Sequence, residues 1–184
     1  YAPGNYARPE EVIHLAVATA ERGKLYSTHM RDEGAANVGL FPSINESIEV
    51  ARRTGVRLEI SHVKCQGPSV YGQANQLLDH FDRAKTEGID IAGDQYPYTA
   101  GSTSLTGAMF PRWSLEGGRE STLTRMADPS TRSRMLEDID TLYPQEGGPD
   151  GIVIARFTPK PQYEGMTMAE IAKELGCTPA EAAL

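Results

Sequence analysis

The chain has 184 residues, 39% of them hydrophobic and 23% charged, with a net charge of −7. A globular composition argues against disorder, and an acidic balance argues against a nucleic-acid or anionic-membrane partner, either of which favours basic patches. No apolar run nears the ~20 residues of a membrane helix, and the two cysteines, Cys65 and Cys177, form no CxxC pair, so a reduced, cytoplasmic setting is the expectation.

Taken in order, residues 1–7 are turn-rich, and Pro9 followed by Glu10 and Glu11 then marks a helix start. Val12, Ile13, Ala16, Val17 and Ala20 keep a helical rhythm to a stop at Gly23. A strand-like run, Lys24–Met30, ends at His29 and opens into the polar loop Arg31-Asp-Glu-Gly34. A second helix is predicted over about residues 44–54, with Ile44, Ile48 and Ala51 on one face and Gly55 as its stop. The next strand, Val56–His62, leads into Val63-Lys-Cys65. A helix over about 73–87 carries the stripe Leu77, Leu78, Phe81 and Ala84, and a third strand, Ile89–Tyr96, breaks at Pro97.

Residues 99–118 read as a long loop, a feature that usually serves function. Two helical pieces broken at Pro129 follow over 119–142, then an apolar strand at Ile152–Phe157, a helix over Met166–Leu175, and another beginning at Pro179. The order β-α-β-α-β implies an α/β fold, a parallel sheet covered by helices. A closed eight-stranded barrel needs ~250 residues, so the chain supplies three or four of its units. With no initiator Met and a last residue inside a helical pattern, it reads as an internal segment of a longer protein.

Side chains at the carboxyl ends of neighbouring parallel strands converge on one crevice or barrel mouth. His29 and His62 stand at equivalent strand ends, and neutral imidazole is the commonest metal ligand as well as a good general base. His29, taken alone, is equally well a buried histidine hydrogen-bonded to backbone, but a second histidine at the equivalent end of the next strand favours the ligand reading. A catalytic zinc takes about three protein ligands, so two histidines do not complete one. Lys64, two residues beyond His62, shares its strand face and suits a substrate carboxylate or a modified, metal-bridging role, against a plain solvated lysine. Asp94 is a ligand, a general base, an orienting group or a turn cap, and Tyr96 is a hydrogen-bond donor to an anion. Cys65 points to the opposite face and reads as buried. His14 and His80, on amphipathic helices, read as packed or solvated, and Trp113 as either a lid or a loop anchor.

The segments Tyr1-Ala-Pro-Gly, Ser27-Thr-His-Met-Arg-Asp-Glu-Gly34, Glu59-Ile-Ser-His-Val-Lys-Cys65, Asp94-Gln-Tyr-Pro-Tyr-Thr-Ala-Gly-Ser-Thr103 and Gly165–Gly176 together resemble the D-aminoacylase (N-acyl-D-amino-acid deacylase) branch of the amidohydrolase superfamily. The resemblance implies a partial (β/α)8 TIM-type barrel, about strands five to seven with their helices plus an α/β insert. On that reading residues 1–118 carry the β/α units and the site, and 119–184 the insert before the eighth strand. It also implies zinc held by His29 and His62, with Lys64 and Tyr96 binding the carboxylate of a small N-acyl-D-amino acid whose amide is hydrolysed. The family's first-strand His-x-His motif and its early cysteine ligand have no counterpart here, and its acid/base aspartate would lie beyond Leu184. The segment alone is therefore expected to be inactive. Cyclic-amide hydrolysis, or a non-catalytic half-barrel that binds a metal or ligand, are the alternatives. Exposed sheet edges would favour self-association or complementing barrel segments.

Overall fold

The computed structural model describes Gly4 and residues 7–184. Most of the turn-rich opening, including the Tyr1-Ala-Pro part of the first motif, lies outside the described residues. The chain forms two compact units, Tyr1–Tyr98 and Thr99–Leu184. The expected division of roles at residue 118 is drawn by site residues, not by compactness.

In the first unit, α1 spans Pro9–Ala20, with Pro at the first turn and Glu10 and Glu11 beside the helix's positive end. It buries Ile13 and Ala16. The second helix, α2, spans Leu40–Thr54, four residues longer at its start than the apolar rhythm predicts. Pro42 is the reason: it suggests a break, but in a first turn its missing N–H costs no hydrogen bond. Gly55 closes α2 in the left-handed conformation (φ 69°), with Arg52 and Arg53 in the last turn facing the helix's negative end. The third helix, α3, spans Ala74–Thr86 and buries Leu77, Phe81 and Ala84.

Between the helices run β1 (Leu25–Thr28), β2 (Arg57–Ile60) and β3 (Ile91–Gly93), all parallel and in the order β1-β2-β3. Each is shorter than its apolar run. The register pairs Thr28 with Ile60 and Ile60 with Gly93, which aligns the three carboxyl ends. Leu58 and Ile60 turn to the helix-covered face and are almost fully buried, joining Ile44, Ile48, Leu77 and Phe81 in one core. Arg57 and Glu59, one residue out of phase, face the other way. There Glu59 accepts a hydrogen bond from Ser27 on β1, and Ser61 joins the pair. The sheet is thus apolar on one face and polar on the other.

The second unit is helical. Its elements are α4 (Leu105–Met109), α5 (Gly118–Ala127), α6 (Pro129–Leu142), α7 (Met168–Leu175) and α8 (Pro179–Ala183). The predicted break at Pro129 is observed, with Asp128 capping α6 through Thr131 N–H. Capping boxes start α7 (Thr167 with Glu170) and α8 (Thr178 with Glu181). The predicted strand Ile152–Phe157 is not one. It makes a single antiparallel bridge, Val153 to Thr167, with backbone bonds from Ile154 to Met166 and from Met168 to Ile152. Pro159 and Pro161 end the run before it can lengthen. The predicted loop at 99–118 is partly ordered too, by α4 and a 3-10 turn at Arg112–Leu115. Met109, Met135, Ile139, Tyr143, Met168 and Ile171 form this unit's core.

Candidate metal and carboxylate site

β1 ends at Thr28, and His29 follows directly. The chain then turns sharply through a loop built on Asp32, which is buried. Its Oδ1 accepts from Gly34 N–H at 2.9 Å, and its Oδ2 accepts from Asn37 N–H (2.6 Å) and Gly39 N–H (2.9 Å). Its own N–H donates to Ser43 Oγ of α2. Next to it, Arg31 forks onto the Glu46 carboxylate at 2.6–3.2 Å and donates to the Ala7 carbonyl. This double anchorage fixes the one residue of the loop that faces the site, Glu33.

β2 ends at Ile60, two residues before His62. His62 lies in the left-handed region (φ 41°), alone in this among the described non-glycine residues. The turn, not strand alternation, is what brings His62 and Lys64 to the same place. The loop after β2 is tied to the loop after β1 by Gln66 N–H donating to the Glu33 carbonyl at 2.8 Å. Gly34 permits that approach, since a Cβ there would land on the Gln66 carbonyl oxygen.

The side chains meet as follows. The His29 and His62 rings stand edge to face, centroids 4.6 Å apart. Glu33, only 8% exposed, places Oε1 2.9 Å from His62 Nδ1 and 3.6 Å from His29 Nδ1. Lys64 Nζ donates to the same Oε1 at 2.5 Å and to the His62 carbonyl at 2.8 Å. It also lies 5.5 Å from the centre of the Tyr96 ring. Burial holds the His29 imidazole below its ordinary value, with the Glu33 charge opposing, which favours the neutral ring that ligates metals. Burial, and then the Glu33 charge, push the Tyr96 phenol up, so it stays a donor.

All four sequence-predicted site residues, His29, His62, Lys64 and Tyr96, therefore converge. Asp94 does not join them: it is exposed, and its carboxylate accepts from the His62 backbone N–H at 2.6 Å. Cys65 packs against the core, and burial pushes its thiol up, away from a thiolate ligand. His80 stacks on Phe41 and pairs with Asn45. In its own unit, Trp113 donates to Asp138 at 2.6 Å under the Arg134 guanidinium, so the anchor reading of that residue has contacts to support it. The residue the pattern did not single out is Glu33. Its signal was faint but present: it stands four residues after His29 in a loop already recognised as polar.

The donor set suits zinc. His29, Glu33 and His62 offer two imidazoles and a carboxylate whose ligand atoms lie within 4.8 Å of one another, and nitrogen and oxygen donors of these kinds are zinc's usual ligands. Among the described residues no helix is long and apolar enough to cross a membrane.

No protein-family model matches the chain. Curated proteins do. N-acyl-D-glutamate deacylase of Alcaligenes xylosoxydans xylosoxydans is 32% identical over 183 residues, covering 100% of this chain and 30% of that protein. D-aminoacylase of the same organism is 35% identical over 105 residues, 57% of this chain and 21% of its own length. Among solved structures, N-acyl-D-glutamate deacylase from Bordetella bronchiseptica, crystallised with zinc and a phosphonate mimic of the tetrahedral intermediate, matches with a TM-score of 0.71 at 28% identity. A D-aminoacylase crystal structure matches at 0.66 and 27%. Each of these two matches covers 100% of this chain and 30% of the other. The chain thus spans about 30% of the length of the relatives it matches end to end.

Proposed function

Since the chain belongs to the D-aminoacylase family of amidohydrolases and its small parallel sheet matches part of that family's barrel domain, we propose that it contributes half of a zinc-dependent deacylase site. Set in a polypeptide of the relatives' length, that site hydrolyses the amide of N-acyl-D-amino acids to a carboxylate and a D-amino acid. In this reading β1, β2 and β3 are the fifth, sixth and seventh strands of the barrel, and residues 99–184 precede the eighth.

What supports the reading is one juxtaposition. His29 and His62 stand ring to ring just past the ends of adjacent parallel strands, with Lys64 and Tyr96 beside them. The imidazoles and Glu33 would hold zinc, which when bound supplies a Lewis acid for the amide carbonyl and for water. Lys64 offers an ammonium to the substrate's carboxylate, and Tyr96 a phenol hydrogen. The two together fix the scissile amide against the histidines, and the N-acyl-D-amino acid is small enough to reach both. The acid/base group is assigned to no residue of this chain.

The test is release of D-amino acid from N-acetyl-D-amino acids by a relatives-length polypeptide containing this chain. His62→Ala should lose zinc and turnover together, whereas Lys64→Ala should mainly raise KM. Full turnover without metal, or unchanged KM in the lysine variant, would remove those assignments.

A further inference from the structure

Glu59 is the only acid of β2, on the strand's polar face, outside the donor cluster of His29, Glu33 and His62. Resting on the deacylase reading, we propose that Glu59 is a positioning residue. By bridging Ser27 and Ser61 across β1 and β2, it sets the spacing of the His29 and His62 rings.

The bridge follows from the register. Ser27 and Glu59 are direct partners in the parallel β1–β2 pairing, and alternation puts Ser61 on the same face as Glu59. Ser27 donates a short hydrogen bond to Glu59 Oε2, and Ser61 donates to the same oxygen at 3.3 Å. The two hydroxyls themselves lie 3.3 Å apart. One carboxylate oxygen therefore holds both strands where they leave the sheet. At the same level the Ser61 N–H donates to the Thr28 carbonyl at 2.9 Å.

Each serine adjoins a histidine of the site. Ser27 lies two residues before His29, and Ser61 directly precedes the left-handed turn at His62. The rings they lead to stand edge to face, centroids 4.6 Å apart. Without the bridge, the two strand ends are held by backbone bonds alone, and the rings they carry separate.

A carboxylate is a costly choice at this position. Glu59 Oε1 is shielded from water and has no hydrogen-bond partner among the described residues. Drying one oxygen of an acid costs free energy, a cost that a serine there would avoid. What the carboxylate adds is one acceptor that two hydroxyls share, and hydrogen bonds to a charged acceptor are roughly twice as strong as neutral ones.

Two measurements test the role, with far-UV circular dichroism on every variant. In the metal-free 184-residue chain, which has four histidines, proton NMR reads the nuclear Overhauser effect between the His29 and His62 rings. Glu59→Ala should weaken it several-fold, and Glu59→Gln, which keeps an acceptor oxygen, should restore most of it. In the relatives-length polypeptide, chelator competition should find zinc about tenfold weaker in Glu59→Ala. Ser27→Ala should weaken zinc as well, but add nothing on top of Glu59→Ala, since both cut the same bridge. A mere loss of stability produces neither the rescue nor the coupling. An unchanged Overhauser effect in Glu59→Ala overturns the positioning role, and so does zinc affinity equal to the parent's, while both leave the deacylase reading standing. If the longer polypeptide takes no zinc at all, that reading falls, and the Overhauser effect alone decides whether Glu59 spaces the rings.

Discussion

The carboxylate of Asp94 accepts the backbone N–H of His62 at 2.6 Å, so a residue just past β3 fixes the turn in which a residue just past β2 presents its imidazole. Two backbone bonds reinforce the clip, from Val63 N–H to the Asp94 carbonyl and from Asp94 N–H to the Ile60 carbonyl. The His62 N–H holds the Asp94 carboxyl below its ordinary value.

Asp94 is therefore a positioning residue. Asp94→Ala should lower zinc affinity about tenfold, the low end for loss of a group that orients a ligand, and Asp94→Asn, which keeps an acceptor oxygen, should restore most of it. Chelator competition reads both. An alanine variant that binds zinc like the parent would show that the backbone clip suffices.

Gly34→Ala sets a methyl against the Gln66 carbonyl oxygen and forces apart the loops that carry Glu33 and Lys64. Overpacking of this kind costs about 1–3 kcal/mol. Urea unfolding should show that loss, and zinc affinity should fall with it. A variant that retains both stability and affinity would mean the loops separate without consequence.

Leu58, 1% exposed, is one of the two β2 residues buried in the core with residues of α2 and α3. Leu58→Ala should cost about 2–5 kcal/mol by denaturant titration. A cost below about 1 kcal/mol, the size of a well-tolerated hydrophobic swap, would contradict the core as described.

In the second unit, Tyr143 is buried and its hydroxyl donates to the Pro179 carbonyl at 2.8 Å. Burial, aided by the Asp140 charge, pushes this phenol up to about 12 from an ordinary 10.0. The folded state thus holds its proton longer than the unfolded one. The stabilisation is whole below the ordinary value and is lost as pH rises from there through the folded value. Tyr143→Phe should flatten the fall in stability over that alkaline window. An unchanged profile would assign the fall to another group.

Much of this was legible because it repeats. Helical rhythm located α1 and α3, the proline located the break at Pro129, and three apolar runs each ending in a reactive side chain gave the parallel sheet and the cluster of side chains past its carboxyl ends. What escaped was set by tertiary contact. Ile152–Phe157 has the apolar content of a strand, but among the described residues it is bridged only by Thr167 and then meets prolines. Lys64 reached its predicted neighbours by a turn that alternation does not describe. Glu33 looked like any loop acid until Asp32 and Gln66 pinned its backbone beside both histidines.

The left-handed backbone of His62 places opposed selective pressures on a single codon. For a side chain with a Cβ this conformation costs roughly 1–2 kcal/mol, and glycine escapes most of it. A library of His62 substitutions ranked by stability alone should put Gly, and then Asn, above the native residue. Wherever a lineage ceases to need the imidazole, drift at this position should run toward those two residues first.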